Sequence, residues 1–120
     1  MSSRPKKVVA AGTTDEPQPE LRLCWTHRAE ADLASIYNYI ADDDPLAAEQ
    51  WVEKLMERAT LAAHAPHAGR IVPEFGVSEL REVLVQSYRI VYRIRSAEVH
   101  VVTVFEGHRR FPADVDLDSV

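Results

Sequence analysis

The stretch Tyr88-Arg89-Ile90-Val91-Tyr92-Arg93-Ile94-Arg95 alternates like a β-strand while placing Arg89, Arg93 and Arg95 on one face, and Gly107-His108-Arg109-Arg110 follows downstream. These residue types could cleave RNA without a metal. That reaction needs a base for the 2′-hydroxyl, cations for the phosphorane charge and an acid for the leaving oxygen. His108 could act as acid or base, Arg81 and Arg89 could carry the charge, and Tyr88 could add a hydrogen bond. The same arginines could instead grip carboxylates of a protein partner, because the planar guanidinium pairs bidentately with either anion. A third reading is a solvated sheet face on which they pair with Glu74, Glu79, Glu82 or Glu98. Spacing alone does not show that the four candidate catalytic groups converge.

Charge distribution narrows the choice. The net charge is −5, which argues against a general nucleic-acid binder. The segment 64–110 nevertheless carries seven arginines, no lysine and five acids, whereas 21–63 is acidic by four charges. The local basicity is therefore mild and wholly arginine-based.

Other chemistries find little support. His64 and His67 have a usable ligand spacing, but Pro66 lies between them and no cysteine pair or carboxylate motif joins them, so no metal is expected. Ser35, Ser78, Ser87 and Ser96 lack a nucleophile motif, and Cys24 alternates inside a strand as a small buried thiol would. No glycine-rich turn precedes a helix, so no phosphate loop or nucleotide cofactor is implied. The single Cys24 requires no oxidising compartment, and no apolar run approaches the roughly 20 residues of a bilayer span. The apolar part of the 4–12 segment is only about five residues, short of the roughly 7–15 of a secretory signal core. A cytoplasmic protein without membrane contact is expected.

The elements that must position these groups are legible in the periodicity. Residues 1–20 are expected to be a disordered extension, since they hold three prolines and no apolar period. Residues 21–26 alternate as a strand, after which Thr26 can cap a helix over 27–42 with the stripe Leu33, Ile36, Tyr37, Ile40. The run Asp42-Asp43-Asp44-Pro45 ends that helix and opens a second, to about 63, that buries Ala48, Trp51, Val52, Leu55, Ala59 and Ala62. A link this short implies an antiparallel helical hairpin. Trp25, Trp51, Tyr37 and Tyr39 are assigned to core faces. Beyond Gly69 the period falls to two, predicting strands at 70–75, 79–86, 88–94 and 98–105. The order implies an α+β fold, a helical hairpin packed on one face of a curved, mainly antiparallel sheet. The opposite face, bearing Arg89, Arg93 and Arg95 with Arg81 joining in a suitable register, is then exposed. An acidic tail, 113–120, is expected to be mobile.

Over residues 21–112 the sequence resembles the RelE/ParE superfamily of type II toxin–antitoxin toxins, the ParE branch most closely. The likeness rests on Ala29-Glu30-Ala31-Asp32-Leu33 with Ile36 and Tyr39-Ile40, on Pro45 and Ala48, and on Pro66, Gly69-Arg70 and Glu74. Arg81, Tyr88-Arg89-Ile90-Val91-Tyr92 and His108-Arg109-Arg110 complete it. It implies a toxin neutralised by a cognate antitoxin, ParD-like with a ribbon-helix-helix domain, so that operator DNA is met only through the complex. For the ParE branch it implies DNA gyrase as the target, inhibited by binding with no catalytic residue. The RelE branch cleaves mRNA on the ribosome, for which the equivalents are Arg81, Arg89 and His108, with Tyr88 assisting. A non-toxic member that only binds its antitoxin is a third implication. The sheet lacks the lysine cluster of the RelE type, and mild local charge is poor for gripping RNA phosphates, which favours gyrase. The residues expected at the antitoxin are Arg70, Arg81, Arg89, Arg93, Arg95, His108, Arg109 and Arg110, meeting acids of its C-terminal arm.

Overall fold

The computed structural model describes residues 21–117; the proposed extension 1–20 and the last three residues lie outside them. The chain runs β1 (Arg22–Trp25), α1 (His27–Ala41), α2 (Pro45–His64), a 3₁₀ turn (Pro66–Ala68), β2 (Arg70–Ile71), β3 (Leu80–Val85), β4 (Tyr88–Ile94) and β5 (Glu98–Glu106). The sheet order is β1-β5-β4-β3-β2, with β1 parallel to β5 and every other pair antiparallel. This is the expected α+β arrangement. No helix among the described residues is long and apolar enough to cross a membrane.

Local sequence sets the hairpin. Thr26 accepts from the Ala29 backbone N–H at 3.1 Å and donates to the Val101 carbonyl at 2.9 Å, so one hydroxyl caps α1 and ties it to β5. Asp44 accepts from Ala47 at 3.2 Å, and Pro45 fills the first turn of α2, where its missing N–H costs nothing. Each such cap contributes about 1 kcal/mol. Ala48, Leu55, Ala59 and Ala62 are buried as expected, while Trp51 and Val52 are half-buried. The helices cover one face of the sheet, where Ala29, Leu55 and Ala59 meet Val85, Ile90, Val101 and Val104.

The opposite face is not open, which corrects the expectation of an exposed arginine face. Val91, Leu80, Val102 and Phe105 form a second core there with Val72, and Phe111, Val115 and Leu117 pack onto it. Phe111 stacks edge-on against both Phe75 and Phe105, with centroids 5.0 and 5.3 Å apart. Val91 is fully buried and Arg89 only 7% exposed. The reason is compositional: the other strands contribute apolar residues to this face, and the chain supplies its own cover. Within the segment 111–117, Phe111, Val115 and Leu117 thus lie against this core. Asp114 also pairs with Arg28 at 2.8 Å, which holds its carboxyl below the usual range. A second correction concerns 70–75, where pairing stops after Ile71 and the chain turns, bringing Val72 to this core and the exposed Phe75 against Phe111.

β5 carries one extra residue opposite β4, since Val91 pairs with Thr103 but Tyr92 pairs with Val101. Such a bulge locally breaks the ladder and re-aims side chains. Here Val101 and Val104 reach the helix side while Val102 and Phe105 reach the other core. Asp32 of α1 accepts from Thr103 Oγ1 at 2.5 Å and from the Val104 N–H at 3.1 Å, satisfying groups beside the irregularity.

Candidate functional site

Register decides which candidate residues share a face. In the β3–β4 pair Arg81 lies opposite Tyr92, Val83 opposite Ile90 and Val85 opposite Tyr88, all on the helix side. Leu84 lies opposite Arg89 and Glu82 opposite Val91, on the other side. Residues directly opposite one another point to the same face, so Arg81 and Arg89 project to opposite faces. The expectation that Arg81 joins the arginine face is thereby overturned.

Arg89 is built into the second core. It donates through Nε to Glu82 at 2.7 Å and bidentately to Glu74 at 2.9 and 2.7 Å. Its guanidinium lies 4.9 Å from the Phe105 ring centroid and 5.9 Å from that of Phe111. The bond from Glu74, ahead of that from Glu82, raises its pKa further above the ordinary arginine value, and Arg89 holds Glu74 below the carboxylate range. Arg70 bonds Glu82 from the solvent side, so this fully buried carboxylate is shared by two arginines. A buried charge persists only when paired and hydrogen-bonded. Arg89 thus has its anions within its own chain.

Arg81 is committed differently. It donates to the carbonyls of Ser78, His67 and Gly69 at 2.8 to 3.0 Å, closing the turn between α2 and β2. Nearby, Tyr92 donates to the Pro66 carbonyl at 2.6 Å, and a Cβ on Gly69 would strike that hydroxyl and come within 2.9 Å of the Glu82 carbonyl. This close approach accounts for glycine beside Arg70. Arg93 and Arg95 are half-buried near the start of β5, and Arg93 Nε is buried with no hydrogen-bond partner among the described residues.

Tyr88, Arg109 and Arg110 do come together. They line an open cleft of about 880 Å³ between α1 and the end of β5, with Arg28, Asp32, Ser35, Ile36, Tyr39, Ser87, Glu106 and Pro112. Tyr88 packs edge-on against Trp51 at 5.5 Å, and burial raises its pKa, so it stays a neutral phenol. Arg28 and Asp32 on the floor are paired at 3.0 Å. At the rim, Arg109 and Arg110 are exposed and have no ion pair among the described residues. His108, on the same turn, is exposed and bonds Glu106 at 2.6 Å, a contact that raises the imidazole pKa and lowers that of the carboxyl. Tyr39, assigned to the core by its type, is 79% exposed beside this cleft because it falls off the α1 stripe. Sequence reading missed the α1 side of the cleft; the signal was Tyr39 lying outside the stripe of Leu33, Ile36, Tyr37 and Ile40.

The fold and these sites define a small α+β protein with an open cleft rimmed by Arg109 and Arg110. The family described as "ParE toxin of type II toxin-antitoxin system, parDE" matches residues 23–111. The curated protein Toxin RelE2 of Caulobacter vibrioides is 37% identical over 89 residues, spanning 73% of this chain and 97% of the relative. A solved structure, the chromosomal ParDE TA system from P. aeruginosa, superposes with a TM-score of 0.62 at 22% identity, covering 72% of this chain and 96% of that one, which is a likeness of fold. The chain belongs to the ParE toxin family and is a type II toxin–antitoxin toxin of the ParE/RelE superfamily.

Proposed function

We propose that this toxin arrests growth in the cytoplasm by binding and inhibiting DNA gyrase, and that a ParD-like ribbon-helix-helix antitoxin neutralises it. The observation that carries the non-enzymatic reading is the divergence of Arg81 and Arg89. An mRNA-cleaving site needs cations that converge on one phosphate. One of these guanidiniums bonds backbone carbonyls on the helix side, and the other is held by Glu74 and Glu82 on the far side. His108 and Tyr88 lie near the cleft without either arginine's free charge.

The same geometry favours a different antitoxin contact from the arginine-bearing strand. Acidic side chains of an antitoxin arm find exposed cations at Arg109 and Arg110, with His108 beside them, rather than at Arg89. Charge-assisted pairs at such a rim steer association and fix register. Operator DNA is met through the antitoxin.

The test is a pair of assays on the purified chain. Gyrase supercoiling should fall at micromolar toxin and recover when antitoxin is added, while ribosome-bound message stays intact. Unchanged supercoiling together with codon-positioned cuts lost in His108→Ala would replace this reading with an mRNA interferase. Tight antitoxin binding with neither effect would identify a non-toxic member.

A further inference from the structure

On the sheet face away from the helices, the parallel pairing of β1 with β5 sets Cys24 opposite His100 and Arg22 opposite Glu98. Leu23 and Trp25 pack under the helices, so the alternation turns Cys24 and Arg22 to the other side. The Cys24 sulfur, a Glu98 carboxylate oxygen and a His100 ring nitrogen all lie within 4.8 Å of one another, and all three residues are half-buried. We propose that Cys24, Glu98 and His100 bind a zinc ion that clips β1 to β5.

The donor set selects the metal. A thiolate, an imidazole and a carboxylate suit Zn²⁺, whereas magnesium and calcium take oxygen ligands. Tetrahedral ligands at roughly 2.0–2.3 Å from zinc stand roughly 3.3–3.8 Å apart, so the Glu98–His100 contact has to open by roughly 0.6 Å or more for the ion to sit among the three groups. Arg22 donates to Glu98 Oε2 at 2.9 Å, which orients the carboxylate and leaves Oε1, and Oε1 lies 2.7 Å from His100 Nε2. The ion takes the Nε2 position, the proton that Nε2 shares with Glu98 moves to Nδ1 so that His100 ligates as a neutral imidazole, and the thiol proton leaves to solvent. Thiolate and carboxylate together carry two negative charges, so the occupied site is neutral and tolerates Arg22 and the neighbouring Arg93. Half-burial leaves the fourth position to water. The benefit falls on β1, a four-residue strand whose sole sheet neighbour among the described residues is β5. No metal motif was visible in the sequence because Cys24 lies more than 70 residues before Glu98 and His100.

Cobalt(II) tests this directly, because Cys24 is the only cysteine in the chain. Chelator-treated full-length protein titrated with Co²⁺ should develop a near-ultraviolet thiolate-to-cobalt band, saturating at one ion per chain and bleached by Zn²⁺. Affinity should fall at least about tenfold in Glu98→Gln and in His100→Gln, an effect typical of a disrupted coordination sphere. Zinc should raise the Tm of the wild-type chain but not of Cys24→Ser, whose circular dichroism without zinc should match wild type. Absence of the band overturns the site. So does one ion per two chains, which would mean bridging of two Cys24 thiols, or unchanged affinity in both ligand variants.

Discussion

Arg89 and the Arg109–Arg110 pair carry the same chemistry to opposite ends of the solvent scale. Arg89 is 7% exposed, held by two carboxylates and stacked over Phe105, whereas Arg109 and Arg110 stand at an open rim. The first is a structural charge, whose removal leaves the buried Glu82 with Arg70 alone and Glu74 with no arginine among the described residues. The second pair is available to a partner, and its removal costs the fold little. An arginine-rich strand therefore says nothing about function until each guanidinium has been traced to its anion.

The sharpest way to break this contrast is Arg89→Ala. It should destabilise the chain by about 2–3 kcal/mol, because the buried Glu82 loses one of its two charged donors and keeps only Arg70 on the solvent side. Urea unfolding reads this directly, and a loss under 1 kcal/mol would mean that the pair is not structural. Replacing Arg89, Glu74 and Glu82 together by apolar residues of similar volume should cost far less than Arg89→Ala alone.

Asp32→Ala comes next. It removes the acceptor for Thr103 Oγ1 and the Val104 N–H beside the bulge, and should cost about 1–3 kcal/mol in the same experiment. Tyr92→Phe removes the hydroxyl that donates to the Pro66 carbonyl, and should cost about 1 kcal/mol.

The rim gives the smallest stability effect and the largest effect on binding. Arg109→Ala combined with Arg110→Ala should stay within about 0.5 kcal/mol of wild type in stability. The same double variant should weaken antitoxin binding by about tenfold or more, with strong salt dependence of the association rate, measured by surface plasmon resonance. Equal antitoxin affinity in variant and wild type would move the partner surface elsewhere.

Acid offers a graded version of the first test. Arg89 lowers the Glu74 pKa below 4.5 in the folded chain, so the unfolded chain binds the proton more readily. The contribution of Glu74 is complete above the unfolded value and is lost as pH falls through the lower folded one. Stability should therefore decline below about pH 4.5, and the decline should be shallower in Glu74→Gln. A profile identical in the variant would show that Glu74 is not the titrating partner.

Much of the fold was legible because it rests on local rules. Thr26 and Asp44-Pro45 mark helix starts by capping chemistry, the Leu33–Ile36–Tyr37–Ile40 stripe gives α1 its inner face, and the change to a period of two after Gly69 marks the sheet. The β2 end was missed because Val72 continues the alternation of Arg70 and Ile71 while serving a core made by other strands. Tyr39 was misplaced because residue type was allowed to outweigh its position on the helix.

The sequence by itself determined the elements, their order, the hairpin and the family likeness, since all of these depend on neighbours a few residues apart. Only the tertiary structure decided which charges are free. Register set Arg81 and Arg89 on opposite faces, and the fold laid Phe111, Val115 and Leu117 over the presumed open surface. It also brought Cys24 to Glu98 and His100. These outcomes depend on pairings between distant segments, and a one-residue change of register reverses every one of them.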